Sequence, residues 1–384
     1  MCANRCSTRV TQALLTTLIF FFTHLSFAQK RKEILYVGTM AVRESQGIYV
    51  FKYDPIKAKL TLLQTINDRD SPSFLTVHPN GKFLYAVNRM AVDQTHSEVG
   101  SVSAYQIDQK TGKLTLINHV SAFGKGPCHI SVDRTGKFAF VSNYHEGNLV
   151  VYRLLSDGSL GEVTDSKKYS YNGKQSHVHC AIPSPDNKFL LVTDLGADKI
   201  YKYKLDLVNG RIIPADQPEL SVAPGAGPRH LTFSMNGKNV YLAEELTSTI
   251  ASFSYQPLTS SATILQDTLR AIPASYKDKN SSADIRVDPK GKYVYQSQRG
   301  LDALSIFAIG LHGKLKYVGT QSSAGKTPRN FVFTPSGQHL LVANQDTDNV
   351  VIFKQDAKTG KLRSTGFEVK VPSPVCLQFL KINQ

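Results

Sequence analysis

A strand-turn-strand unit recurs about every fifty residues along this chain, and few folds accommodate such a period. Copies span 71–88, 126–143, 176–194, 227–244, 281–298 and 327–344. A seventh, Ser373-Pro374-Val375-Cys376-Leu377-Gln378-Phe379, supplies only the first strand. Within a copy the first strand is nearly continuous in apolar residues and ends in a turn such as His78-Pro79-Asn80-Gly81 or Asp288-Pro289-Lys290-Gly291. Pro presets φ for the turn and Gly accepts the left-handed conformation. Asn187 stands where the third copy would have Gly, and Asn is the next best residue there. Second and third apolar runs rich in Val, Ile, Tyr and Phe follow, with no long helical period. Four strand-like runs per unit predict an all-β fold, a β-propeller, and seven starts predict seven blades.

The missing strands of the seventh copy stand at the other end of the chain. Segments 34–39, 47–53 and 60–64 read as the second, third and fourth strands of a blade. The last blade is therefore expected to be built from both termini, which closes the ring and leaves no sheet edge open. Residues 29–384 are expected to form a single propeller domain, because radial repetition permits that size.

Residues 1–28 have a different character. Arg5 and Arg9 precede an apolar run from Ala13 to Phe22, and Ser26-Phe27-Ala28 offers small residues at a cleavage position. That pattern predicts a secretory signal peptide cut after Ala28, hence a periplasmic or secreted protein. No later segment is long and apolar enough to suggest a membrane span. Cys128, Cys180 and Cys376 remain after cleavage; each falls in an inner-strand slot, as a small core residue rather than half of a disulfide.

The formal charge is +15, or +13 without Arg5 and Arg9. Lys82, Lys137, Lys188, Lys238 and Lys292 follow the inner turns, and Lys59, Lys113, Lys314 and Lys361 sit in the outer turns. One face of the disc is expected to be strongly basic, either as a solvated surface or as one that attracts anionic glycans or lipids. Nucleic acid is disfavoured as a partner by the export signal and by the absence of interleaved exposed aromatics.

Two slots in the repeat carry the residues that packing does not explain. Eight residues before the turn Gly stand Ser73, Cys128, His179, Arg229, Ala283 and Arg329; eight after it stand Arg89, Tyr144, Leu195, Glu245, Arg299 and Gln345. An antiparallel pair returns to the face it left, so both slots open at one mouth of the central channel, opposite the lysine turns. Arg, His and Glu cannot be packed there without partners. A structural Arg229–Glu245 ion pair, His177 and His179 satisfied by backbone carbonyls, and an Arg329 that braces a neighbouring blade are the bland alternatives. His129 and His230, one residue further along, are expected on the other side of the strand, packed between blades. No G-x-S-x-G elbow is present. Gly325-Lys326-Thr327 lacks the rest of a P-loop, since Thr320 holds the place of the first Gly and a strand follows. No His, Asp or Glu cluster has metal-ligand spacing.

His177-Val178-His179, Pro228-Arg229-His230, Glu245-Leu246, Arg299-Gly300 and Pro328-Arg329-Asn330 occur in the order seen in the seven-bladed lactonase family. The chain resembles that family, which includes 6-phosphogluconolactonase and carboxymuconate lactonizing types, over essentially all of its length after residue 28. The resemblance implies a metal- and cofactor-independent site with His179, Arg229, Glu245 and Arg299 as catalytic residues. His177, Arg329, Asn330, Tyr144 and Asn143 are the substrate-binding candidates around it. Glu244 and Gln298 depart from the Asn common in related sequences. Either Glu245 or His179 could activate water, with an Arg stabilising the oxyanion. The expected partner is a small sugar-derived or anionic lactone, bound by a monomer. Ring closure by a cycloisomerase, or a non-catalytic propeller that binds a ligand or protein, are the alternatives.

Overall fold

The computed structural model describes residues 33–380 except 68–69, 90–98, 172, 174, 257–261 and 267. The expected leader, residues 1–28, lies outside the described residues. Nearly everything described is strand; the helical exception among the described residues is a 3-10 turn at Leu311–Gly313. The strands form seven antiparallel sheets, the blades of a propeller. Blades 1 to 6 occupy 72–125, 127–168, 178–221, 228–270, 281–322 and 328–370. In blade 4 the outermost strand is two short pieces, Ala262–Ile264 and Leu269–Arg270, both paired with Thr249–Tyr255.

Blade 7 is stitched from both ends of the chain. Pro374–Leu380 pairs with Glu33–Thr39 in register Leu35↔Phe379, and Gly47–Asp54 and Lys59–Asn67 complete the sheet. The ring is thus closed by ladder hydrogen bonds between the two ends of the chain, and the innermost strand of blade 7 is paired like those of the other blades.

Local turn chemistry sets each hairpin. Gly136 has φ +76° and Asn187 takes φ +60° at the equivalent position. Asn187 also gains something Gly could not supply: its Oδ1 accepts from Arg134 N at 2.9 Å and its Nδ2 donates to Asp133 Oδ2 at 3.0 Å. It ties the inner turns of blades 2 and 3 together.

Apolar packing lies between blades rather than at the disc centre. Among the described residues there are seven buried clusters, one for each pair of neighbouring blades. Between blades 4 and 5, for example, Tyr241, Ala243 and Ile250 meet Ile285, Val294 and Phe307. Cys128, Cys180 and Cys376 are free and buried, as small core residues should be. With the apolar surface used up between blades, the axis is free to be polar.

One backbone irregularity recurs in every blade. The register of first against second strand slips by a residue beside Ser73, Cys128, His179, Arg229, Ala283, Arg329 and Val375. Such β-bulges bend the strand and re-aim its side chains.

The opposite face carries the hairpin lysines, all nine exposed. It is less purely basic than the lysine spacing suggests. Outer hairpins also carry Asp54, Asp108, Asp157, Asp206 and Asp356, whose carboxylates accept turn N–H groups. Both signs therefore alternate around that face.

Candidate active site

Backbone closure brings the two polar slots together. In blades 1 to 4 and 6 the residue after the second strand donates its N–H back to the residue before the first: Arg89 to Ser71, Tyr144 to Gly126, Leu195 to His177, Glu245 to Gly227 and Gln345 to Thr327, at 2.8–3.0 Å, while in blade 5 Arg299 ends the second strand in register with Ser281. Every side chain of the later slot thus starts at the channel mouth, beside the bulge of its own blade.

The centre of the mouth is an Arg–Glu–Arg bridge across blades 4 and 5. Arg229 Nε lies 2.8 Å from Glu245 Oε2, a charge contact rather than an aligned hydrogen bond. Arg299 Nη2 reaches Oε1 of the same carboxylate at 2.9 Å. Arg229 Nη1 also donates to Ala283 O at 2.7 Å, and Arg299 Nη2 to Ser282 O at 3.1 Å. Side-chain exposure is 3% for Arg229, 13% for Arg299 and 18% for Glu245, so the arginine of blade 4 is sealed while the carboxylate borders solvent. Burial pushes the Glu245 carboxyl up, but Arg229 and Arg299 outweigh it and hold the group below its ordinary value. Glu245 is an anion with both oxygens engaged.

His179, from the bulge of blade 3, is buried. Its ring meets His230 at 5.0 Å and Tyr144 at 5.7 Å, both edge to face. Burial first, then the charge of Arg229, with His230 and Arg329 adding to it, pushes its pKa well below the usual imidazole value. It is neutral, and its Nδ1 has no hydrogen-bond partner. A neutral imidazole beside guanidiniums that outnumber the carboxylate is an arrangement for handling developing negative charge.

Residues 34–379 match the family described as Lactonase, 7-bladed beta-propeller. The chain belongs to that family. It is 34% identical over 355 residues to a 6-phosphogluconolactonase of Bacillus subtilis, covering 91% of this chain and 99% of the relative. A 6-phosphogluconolactonase of Formosa agariphila is 35% identical, with 90% and 98% covered. Among solved structures, the periplasmic gluconolactonase PpgL of Pseudomonas aeruginosa superposes with a TM-score of 0.84 at 30% identity, covering 92% of this chain and all of that one. As a lactonase the chain is a carboxylic ester hydrolase.

Around the bridge of this lactonase lies a half-buried shelf. Tyr144 and His177 stack with centroids 4.4 Å apart and planes 13° from parallel, and His177 Nδ1 sits 3.0 Å from Tyr144 O. Arg89 lies over the Tyr144 ring at 5.9 Å, and its Nη2 is 3.2 Å from His145 Nε2. Arg329 is half-buried, 3.5 Å from Gln345 Oε1, within the field of Arg229, Arg299 and Arg89.

Asn143 and Asn330 are turned elsewhere. Asn143 Nδ2 donates to Ala122 O at 2.9 Å, on the outermost strand of the preceding blade. Asn88, Asn344, Glu244 and Gln298 occupy the equivalent position and likewise bind their surroundings, Glu244 through Thr249 and Gln298 through Asn280. The two departures from Asn at 244 and 298 therefore concern loop bracing. Asn330 lies deeper: its Nδ2 donates to Asp284 Oδ2 at 2.7 Å and its Oδ1 accepts from Leu377 N at 2.7 Å.

His129 and His230 do not pack between blades. Both line a cavity of about 240 Å³ on the channel axis, with Phe74, Asp284, Arg286 and Gln378. Simple alternation fails because the bulge adds one residue, so consecutive residues such as Arg229 and His230 both turn toward the axis. Residue patterns alone singled out neither Asp284 nor His145. Asp284 was nevertheless signalled, because the slot after the bulge carries His129, His230, Asp284 and Asn330 in a strand otherwise rich in apolar residues. His145 is an exposed loop residue and carries no such signal. Among the described residues no three His, Cys, Asp or Glu side chains converge as metal ligands would.

Proposed function

We propose that this lactonase opens the ring of an aldono- or uronolactone by general-base attack of water, with His179 as the base. The observation that carries the reading is the division of labour at the mouth. Glu245 has both oxygens held by guanidiniums, so neither is free to accept a proton from water. His179 is neutral, so one of its ring nitrogens carries a lone pair. His179 takes a proton as the water oxygen bonds to the lactone carbonyl carbon. Arg229 and Arg299 stabilise the negative charge that develops on the carbonyl oxygen. When the ring C–O bond breaks, the protonated His179 returns the proton to the departing alkoxide, giving the hydroxy acid. Glu245 spaces the two guanidiniums and keeps them ordered before the substrate arrives. Arg89 and Arg329 are placed to grip a carboxylate or sugar hydroxyls, and the Tyr144–His177 shelf offers a face for the ring.

An unphosphorylated substrate is supported by the expected leader and by the likeness to a periplasmic gluconolactonase. The 6-phosphogluconolactonase relatives define the competing phosphorylated substrate. A pH-stat assay over a lactone panel, glucono-δ-lactone and its 6-phosphate included, tests the reading. Turnover of unphosphorylated sugar lactones, unchanged by chelator treatment and lost in His179→Gln, is expected. Exclusive use of the phosphorylated lactone would overturn the substrate class, and full activity in His179→Gln would remove the base.

A further inference from the structure

Two buried ring nitrogens in the channel stand without partners and face the same problem. Nδ1 of His179 and Nε2 of His230 are both sealed from solvent with no hydrogen bond, and their rings meet edge to face with centroids 5.0 Å apart. Buried polar atoms of this kind are rare, because desolvation without a partner is costly.

The tautomer of His230 follows from its other nitrogen. Asp284 is bound on every side as an anion. Its Oδ2 takes Asn330 Nδ2 at 2.7 Å and Arg286 Nε at 3.1 Å, and Oδ1 lies 2.9 Å from His230 Nδ1. An ionised carboxylate can only accept, so neutral His230 carries its proton on Nδ1 and Nε2 is a bare lone pair. Burial first, then Arg229, lowers the pKa of His230 to about 4, so the neutral form prevails near neutrality. That lone pair lacks a donor, and the His179 ring edge to face with it, whose own Nδ1 is unpartnered, can supply Nδ1–H. His179 then has its own lone pair at Nε2.

We propose that Asp284 and His230 are positioning residues that hold His179 in the Nδ1–H tautomer, leaving Nε2 to take the proton from water. The inference rests on His179 as the base and adds what sets its tautomer. The charged and titratable groups around the couple come from several blades: His129 from blade 2, His179 from blade 3, Arg229 from the strand of His230, Asp284 and Arg286 from blade 5, and Arg329 from blade 6. Asp284 is the anion among them that contacts His230 directly.

Nitrogen-15 NMR of the histidine side chains in the full folded protein reads the tautomers, with His179→Gln and His230→Gln supplying assignments. His179 and His230 are both expected as Nδ1–H. Asp284→Asn, whose amide can donate to Nδ1, is expected to turn both rings to Nε2–H. It should also lower kcat by about 10- to 100-fold, as loss of an orienting carboxylate does elsewhere, with KM little changed. Should Asp284→Asn fail to fold, the pair His230→Gln and His230→Leu decides. The Gln carbonyl still accepts and should retain more activity and the Nδ1–H form of His179, whereas Leu should lose both. His179 found as Nε2–H in the unmodified protein, or unchanged in folded Asp284→Asn or His230→Leu, would overturn the coupling. Full turnover in His179→Gln would instead remove the base while leaving the tautomer coupling standing.

Discussion

In blade 4 the bulge and the residue after the second strand carry Arg229 and Glu245; in blade 7 the same two backbone positions carry Val375 and Met40. The backbones match closely. Glu245 N bonds Gly227 O at 2.8 Å, and Met40 N bonds Ser373 O at 3.1 Å. Bulge and closing bond are thus properties of the scaffold, indifferent to side chain, and repeat around the ring. The proposed chemistry uses two slots of blades 3 to 5, where Glu245 touches an arginine from its own blade and one from the next. Blade 7 shows what the slot looks like when it is only structural.

The largest expected difference between these blades is catalytic. Arg229→Ala should reduce lactone hydrolysis by at least about 10³-fold, while Met40→Ala leaves kcat/KM within about two-fold. Equal damage from both would mean that the mouth is a uniform rim and the slots carry no division of labour. Glu245→Gln should lose activity comparably. It should also cost about 1–3 kcal/mol in unfolding free energy, because buried Arg229 then faces a neutral partner.

Packing offers a second contrast. Phe307→Ala, between blades 4 and 5, and Phe379→Ala, between blades 6 and 7, each remove a buried ring and should cost about 3–5 kcal/mol. Only the first should also lower kcat at temperatures where the protein remains folded, since that interface carries the Arg–Glu–Arg bridge. Thermal melts and kinetics on the same samples separate the two effects.

Acid should weaken the polar axis before the apolar interfaces. His129, His179 and His230 have pKa values pushed down by burial first and by neighbouring groups second. Below about pH 6.5 the unfolded chain binds protons that the folded chain refuses. Stability should therefore fall as pH falls, by about 1.4 kcal/mol per pH unit for each such histidine. For His230 this continues to about pH 4. Glu245 and Asp284 are depressed carboxylates, so their contribution is present above the ordinary carboxylate range and is lost only at still lower pH. Unfolding measured from pH 7.5 to 5 should show the decline, and His129→Gln should flatten it. A flat profile in the unmodified protein would contradict neutral burial of the three rings.

The smallest effect concerns Asn143. Its bond to Ala122 O predicts that Asn143→Ala costs about 1–2 kcal/mol and leaves KM unchanged. A raised KM without loss of stability would return this residue to the substrate.

Much of the scaffold was legible in the residues. Pro79-Asn80-Gly81 and its counterparts encode turns through local conformational preference, so counting them counts blades. The single strand at 374–380 and the three at 33–67 complete each other for the same reason. The two polar slots were legible because Arg, His and Glu stand out in strands that are otherwise apolar. Asn143 and Asn330 were harder, because the same amide can serve a substrate or a neighbouring carbonyl, and only the fold says which is in reach.

Turn chemistry and strand composition act over a few residues, and by themselves they determine a seven-bladed ring closed by its own ends, with charge gathered at two slots of the repeat. Tertiary structure decided the rest. One extra residue in each inner strand turned His129 and His230 onto the axis instead of into an interface, against the alternation the strands suggest. Adjacency of blades 4 and 5 made Arg229, Glu245 and Arg299 a bridge, and the low-dielectric channel kept His179 neutral beside it. Those outcomes depend on distances across blades, where Coulomb interactions and desolvation act through space and sequence separation carries no information.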